Sequence, residues 1–405
     1  MYLKGKKKAE VGHLYSYSIN TFLLQLKFEL NPGCPKELCN SKVEIVYVRA
    51  DGPNDTLHYV WCFDPKPTVL ITLTSHASNL TITWGESPLS IYSIAFTSKP
   101  YYSFGLLVNQ IFEFDDVDDN GILNVTNNNA SYVRRVQMPD SWVMKNPIEI
   151  THDSALLVME GSWKNNVSSV KQGTFQVELE TYRSEGHGSK LPHLFHSPNT
   201  TQMELSLFNM LTNSGFKQSR FAIELVLAAS ENTAKNISYT SFKSLDDEHT
   251  PGVFTLNDLQ TPASKRSGNG GFVQWRPVSY VAEERDIVNS TESAVYAVQN
   301  ISDSSSDYDG TLLGAYFGSG LSTNLLNSVN ISFGAKDDGF YAKCNTSIWT
   351  ATVGYGHPPV ENFSLLVILI MVIFLGLPAV IILFSGLYVA LRRITYRKDD
   401  LFLSE

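Results

Sequence analysis

No charged residue interrupts the sequence from Leu365 to Leu391, LLVILIMVIFLGLPAVIILFSGLYVAL. As a helix this run extends about 40 Å, against roughly 30 Å for the hydrocarbon layer of a bilayer. A core helix of a globular protein keeps a polar face, and this run has none. A membrane-spanning helix is therefore predicted, tilted or kinked at Pro378. Arg392, Arg393, Arg397 and Lys398 follow at once, whereas the preceding GHPPVENFS carries only a histidine. Basic residues stay on the cytosolic side, so the expected C-terminus is cytosolic and the expected body lumenal. Within the span, Ser385, Gly386 and Ala390 form a small-residue stripe that would let another helix approach closely. One charge-free span forms no pore alone. It is an anchor, a docking surface, or both.

The remainder is too long for one small core, which predicts two domains or one double-sized sandwich. Charged residues make up only 18%, and Tyr, Phe, Val and Thr recur, which favours strands. A net charge of −9 argues against nucleic acid, which rewards a basic face. Alternating or β-branched runs bounded by turn residues predict strands at 42–50, 56–63, 68–74, 79–85 and 173–182. Further runs lie at 202–208, 220–228, 271–281, 328–335 and 347–355. Neither a soluble amphipathic helix nor an alternating βα rhythm stands out. The expected fold class is an all-β lumenal region of antiparallel sandwich type, as two packed sandwiches, plus one C-terminal transmembrane helix. The polar stretch 184–201 is the best internal boundary. The expected organisation is a first domain over 22–185, a linker at 186–201 and a second domain over 202–360. A juxtamembrane and membrane segment over 361–391 and a tail over 392–405 complete it.

Acceptor sequons stand at Asn54, Asn79, Asn124, Asn129, Asn166, Asn199, Asn236, Asn289, Asn300, Asn330, Asn345 and Asn362. Chance would supply roughly five, so the excess implies a sugar coat, with Asn362 too close to the bilayer for efficient modification. None lies beyond the span, which agrees with the basic flank. Residues 1–21 are basic at first but contain no apolar leader. Leu24, Leu26, Phe28 and Leu30 alternate with polar residues, as in a strand. A leader missing from this sequence accounts for the sugars better than a tail-anchored cytosolic protein does.

Of the four cysteines, Cys34 and Cys39 could close a small loop, leaving Cys62 and Cys344 as a long-range pair. Three connectivities are open, as are free buried thiols. Asp116, Asp118, Asn120 and Gly121 match the first half of a calcium loop, but its twelfth position is Asn127 rather than a bidentate Glu. An acidic turn is the simpler reading. His187, His193 and His196 fit no zinc spacing. Gly268 to Gly271 lacks the Lys-Ser/Thr sequel of a phosphate loop, and it reads as a turn. Carboxylates beside His249 in Ser244 to His249 could move protons, or form a charged loop. No hydrolase signature occurs. Neither a catalytic residue nor a cofactor or metal is assigned.

Several segments together resemble one family. LHYVW (57–61), SLDDEHTPGVFTL (244–256), GGFVQWRPVSY (270–280), GAYFG (314–318), ISFGA (331–335) and GYGHPPV (354–360) are similar to segments of the glycosylated lysosomal membrane protein family, in the same order. The resemblance runs from about residue 22 through the membrane helix. It implies a type I lysosomal membrane glycoprotein without enzymatic activity. It further implies an accessory subunit for a multi-spanning major-facilitator transporter of dipeptides, which it shields from lysosomal proteases. The family's tyrosine-based sorting signal has no counterpart, because Asp399 stands three places after Tyr396, and Asp399 to Leu403 is no dileucine signal. The family's cysteine pattern does not match either. Two other functions remain in view: a β-sandwich adhesion or recognition receptor, and a membrane-tethered hydrolase using Asp246, Asp247 and His249.

Overall fold

The computed structural model describes residues 25–39, 45–85, 91–123, 132–139, 141–164, 171–230, 237–244, 250–266, 268–301, 308–318, 325–339, 345–360 and 365–402. The strands in chain order begin with β1 Gln25–Leu30, β2 Ile45–Asp51, β3 Asp55–Cys62, β4 Thr68–Ser75, β5 Leu80–Trp84 and β6 Ile91–Phe96. Next come β7 Tyr102–Asp115, β8 Val133–Val136, β9 Trp142–Met144, β10 Glu149–Ile150, β11 Ser154–Lys164 and β12 Lys171–Tyr182. β13 Gly186–His187, β14 Phe195–His196, β15 Thr200–Phe208, β16 Ser219–Ala229, β17 Ser238–Lys243 and β18 Thr255–Gln260 follow. The last are β19 Gly271–Trp275, β20 Val278–Tyr280, β21 Ser290–Val295, β22 Gln299–Asn300, β23 Leu325–Phe333 and β24 Ser347–Tyr355.

All pairings are antiparallel. The first sheet runs β1-β2-β3-β4-β7-β16-β23, with β8 beside the far half of β7. The second runs β11-β12-β15-β24-β19-β18-β17, with β9 and β10 on the outer side of β11. β21 pairs with β23 of the first sheet and with β20 of the second, joining the two sheets along one side. The predicted antiparallel β fold is correct. Its largest core cluster draws on both sheets, with Phe104 and Phe221 from the first meeting Phe175, Trp275 and Trp349 from the second. Trp275 and Trp349 are completely buried and meet edge to face at 5.9 Å. Removing one such ring from a packed core costs about 3–5 kcal/mol.

The expected boundary at 186–201 is not an interdomain linker. β12 and β15, on either side of it, pair directly from Thr174↔Phe208 to Thr181↔Thr201, and both feed the shared core. The ladder between β7 and β16 likewise joins early and late chain. The body is thus the double-sized sandwich, with one common core. Residues 186–201 are a connection folded over the second sheet, with β13 and β14 pairing within it.

The first sheet is buried on both faces, so β3 and β4 show nearly continuous burial instead of alternation. Its outer face is covered by the β5–β6 hairpin and by the short helix Leu312–Phe317, whose Leu312 and Leu313 are buried. That helix starts with Thr311 as N-cap, its hydroxyl accepting from the Gly314 amide at 3.3 Å. Close approach of the layers demands glycine at certain points. A Cβ at Gly271 would lie 2.5 Å from the Phe104 ring, and one at Gly354 would lie 2.7 Å from Phe272.

At the C-terminus a helix runs over Leu365–Met371, passes through a π turn at Val372–Gly376, and continues over Leu377–Phe402. The irregularity has an evident cause. Pro378 has no N–H to give the carbonyl four residues back, and its ring crowds that turn, so the widened turn sits just before it. Within Leu366–Ile394 an 18-residue window reaches a mean hydropathy of 3.3 with no buried residue, as a membrane span requires.

Gly271→Ala is expected to lower stability by about 1–3 kcal/mol, because the added carbon overlaps an immobile ring in the shared core. Thermal melts of the detergent-solubilised chain would read this, with Gly215→Ala, where the added carbon meets only Asn213 at an ordinary 3.4 Å, as the comparison for a turn.

Candidate functional site: glycan acceptors, apolar helix and a clasped carboxylate pair

The acceptor asparagines divide by position. Asn54, Asn79, Asn199, Asn300 and Asn345 are exposed, whereas Asn289 and Asn330 are half-buried. Asn124, Asn129, Asn166, Asn236 and Asn362 lie outside the described residues. Asn54 is on the turn between β2 and β3, and Asn79 precedes β5. Asn199 stands just before β15, and Asn345 just before β24. Arg49 fixes the Asn79 turn: its guanidinium donates to Asn79 Oδ1 at 2.7 Å and to the carbonyls of Ser78 and His76 at 2.8 Å. The amide nitrogen that a sugar would use is not the atom engaged. Asn330 differs. It sits within β23 between two other strands, and its Oδ1 is buried without a hydrogen-bond partner.

On the apolar helix, Gly386 and Ala390 line a shallow groove with Val380, Leu383, Phe384 and Leu387. No atom stands within 4 Å of where a Gly386 Cβ would be. The Ser385 hydroxyl donates to the Ile382 carbonyl at 2.9 Å, so it serves its own helix.

Cys34 and Cys39 form a disulfide across their small loop. Cys62 is buried, with its sulfur 3.1 Å from the Asp64 carbonyl oxygen. It belongs to an apolar cluster with Ile45, Val60 and Leu70, on the outer side of the first sheet. Cys344 lies outside the described residues.

The half-matched calcium loop holds an arginine at its centre. Arg220 Nε donates to Asp116 at 2.6 Å, and its terminal nitrogens reach Asp119 at 2.7 Å and Asp338 at 2.8 Å. Asp116 also accepts from the amides of Asn120 and Gly121. Burial works against the charged guanidinium, but Asp338 and Asp116 outweigh it and raise its pKa further. The cluster is a structural knot tying β7, β16 and the segment after β23. Sequence alone gave no sign of Arg220, which is more than a hundred residues from the acidic run.

The three histidines do not converge either. His193 Nδ1 bonds the Gly188 carbonyl at 2.7 Å, His187 packs on Phe195, and His196 stacks on Tyr182. Of the Ser244 to His249 segment, Ser244 receives a hydrogen bond from the buried Arg276 at 3.2 Å. Residues 245–249 lie outside the described residues.

A second charged interior place is one that sequence reading missed. Glu178 of β12 and Glu204 of β15 are directly opposed in register and both buried. Like charges so placed repel. Two connections reach over to neutralise them: Lys190 grips both Glu178 oxygens at 2.6 and 2.7 Å, and Arg285 contacts Glu204 at 2.6 Å. Arg285 also donates to the Leu191 carbonyl at 2.6 Å, linking the two connections. A cleft of about 560 Å³ remains between them, walled by Lys145, Lys190, His193, Glu204, Glu283 and Arg285. Burial, then the Glu204 charge, raise the Glu178 pKa against the pull of Lys190 and Arg285. The matching Gln-x-Glu patterns at 176–178 and 202–204 were the available signal. Each carboxylate holds a covering loop down.

His58 carries the opposite shift. It is fully buried, with Tyr47 at 2.7 Å on Nδ1 and Thr74 at 2.7 Å on Nε2. Burial, helped by the nearby Arg49 charge, lowers its pKa to about 4.

Against this geometry the comparisons with known proteins are decisive. The glycosylated lysosomal membrane protein family model matches residues 44–396. The chain belongs to that family. It is similar to glycosylated lysosomal membrane protein A of Xenopus laevis, at 31% identity over 92% of this chain and 91% of the relative. The Danio rerio protein is 28% identical over 93% and 91%, and the human one 26% over 92% and 89%. The family segments map largely to the interior: β3, β19, β20, β23 and the short helix over the first sheet. Trp275 and Arg276 are both buried there, with Arg276 Nη1 donating to the Val253 carbonyl at 2.5 Å.

Two pH effects of opposite sign follow. The unfolded chain protonates His58 first, so stability present above pH 6.5 drains as the pH falls through about 4. At about pH 5 the loss is roughly 2 kcal/mol. Denaturant unfolding of His58→Gln across that window is expected to show a shallower decline by about that amount. Glu178 favours its protonated form in the fold, so its contribution is complete below the ordinary carboxylate range and is lost as pH rises through its raised pKa. Glu178→Gln is expected to remove that loss, flattening the same profile above the ordinary carboxylate range.

Proposed function

We propose that this chain is a non-catalytic, type I lysosomal membrane glycoprotein serving as accessory subunit to a multi-spanning major-facilitator transporter of dipeptides. Its body faces the lumen, its tail faces the cytosol, and it shields the transporter's lumenal loops from proteolysis. The observation that carries this reading is the distribution of exposed acceptor asparagines over both ends of a body anchored by one bare apolar helix. Protease attack needs an extended backbone in the active cleft. A rigid sandwich bearing bulky sugars, held close above the loops, denies that access. The clasped carboxylates and the Arg220 knot hold structure together, which supports a non-catalytic role.

Two weak contacts suffice for such a partner. The span confines both proteins to one membrane, so helix contact and body contact reinforce each other through a high local concentration. The groove lined by Gly386 and Ala390 supports the helix contact, since small residues let backbones approach.

Mild-detergent purification of the tagged chain is expected to retain a multi-spanning transporter. Gly386→Leu should cut its recovery several-fold, in line with about 1 kcal/mol for a lost helix packing contact. Removing the chain from cells should shorten the transporter's half-life in lysosomes, and protease inhibitors should restore it. An unchanged half-life would end the shielding proposal, while an unglycosylated chain from a host supplying a leader would reverse the topology.

A further inference from the structure

The structure points to a docked sugar at one end of the sandwich: we propose that the innermost residues of an N-linked glycan on Asn199 lie in the cleft that Asn199 itself lines. This rests on the glycoprotein reading above. The cleft has a volume of about 480 Å³ and is walled by Asp55, Tyr101, Asn199, Arg266, Asn269 and Tyr355. It lies where β24 ends and the chain departs toward the membrane helix.

Three observations carry the assignment. The first is that the acceptor is held rigidly at the rim. The Tyr355 amide donates to the Asn199 carbonyl at 3.2 Å, and the turn from Ser197 to Thr200 is closed by the Thr200 amide and hydroxyl on the Ser197 carbonyl. A sugar on Asn199 therefore starts at the cleft mouth and cannot swing away through its own backbone. The second is the lining. Tyrosine faces take the apolar faces of pyranose rings, while carboxylate, amide and guanidinium groups bond hydroxyl and acetamido groups. The third is that the charged groups Asp55 and Arg266 are exposed. Arg266 lies over the Tyr101 ring at 4.1 Å, and neither it nor Asp55 makes an ion pair among the described residues.

Covalent attachment makes weak contacts effective. A tethered sugar reaches the cleft at high effective concentration, so interactions too feeble to hold free sugar suffice. Docking would cover the exposed Arg266 and the half-buried Tyr101 and brace the turn of Asn199 against β24. The other rim acceptor, Asn54, is one residue from Asp55 but does not line the cleft.

The full chain, expressed with a leader in a glycosylating host, is treated with peptide N-glycosidase under native and denaturing conditions. Conversion of each asparagine to aspartate is followed by mass spectrometry. Release at Asn199 is expected to be at least tenfold slower than at Asn54 and Asn300 in the native protein, and equal to them after denaturation. Arg266→Ala and Tyr101→Leu should each speed native release at Asn199 several-fold, with the melting temperature measured alongside and Asn300 unaffected. Release at Asn199 as fast as at Asn300, or slow release indifferent to both substitutions, overturns the docking. If Asn199 carries no glycan while other sites do, the docking alone falls. If no site carries one, the glycoprotein reading falls with it.

Discussion

A sheet with apolar side chains on both faces must be covered on both, and the first sheet of this chain is such a sheet. Its inner face meets the second sheet through Phe104, Phe221, Trp275 and Trp349. Its outer face carries Val60, Leu70, Leu107 and Val226, which would otherwise meet water. At about 25 cal/mol per Å² of apolar surface, leaving several such side chains bare would cost several kcal/mol. Both covers, the β5–β6 hairpin and the short helix Leu312–Phe317, answer that requirement. The glycines follow from it: Gly105 sits under Leu313, and Gly271 sits under Phe104, where a side chain would separate the layers.

This two-sided burial also sets how far the sequence could be read. Ten predicted strands fall on observed ones, with 271–281 broken into β19 and β20 at Arg276 and Pro277. The membrane span was equally legible, since hydropathy needs no partner to be recognised. What stayed hidden is non-local. The 186–201 stretch is polar and turn-rich like a linker, but polarity does not reveal that β12 and β15 pair around it. Arg220 and the Glu178–Glu204 pair depend on strand order, which periodicity leaves open. Cysteine connectivity was equally open, since a count of four admits three pairings, and strand position alone places Cys62 in an apolar cluster.

Buried charges in this body mostly fasten one connection to another, and that would matter in the acidic lumen where the body is proposed to sit. Replacing such pairs by apolar groups often costs nothing, so stability alone is a poor reason for them. Here they fix connections that have little core of their own. Lys190 and Arg285 hold residues 186–196 and 281–288 over the second sheet, where Gln176, Glu178, Gln202 and Glu204 would otherwise face solvent. As acid protonates Glu178, its repulsion with Glu204 disappears along with its attraction to Lys190. The loops also rest on neutral contacts: Gln202 to the Leu194 carbonyl at 2.7 Å, and Thr250 to the Pro192 carbonyl. A clasp with this redundancy tolerates acid better than one built on ion pairs alone.

The last strand gives the body its relation to the membrane. β24 lies centrally in the second sheet, between β15 and β19, with every residue buried. It ends at Tyr355, and Pro358 and Pro359 follow within a few residues. Proline fixes one backbone dihedral and restricts its predecessor, so this exit is stiffer than an ordinary linker. A central strand cannot rotate without moving the sheet around it. Whatever angle the exit imposes is therefore imposed on the entire sandwich, and with it on the acceptor asparagines at that end. A flexible stalk would let the sugars sweep an average volume. A stiff exit from a buried strand suits the proposed shielding, which requires that end of the body to stay over one patch of membrane.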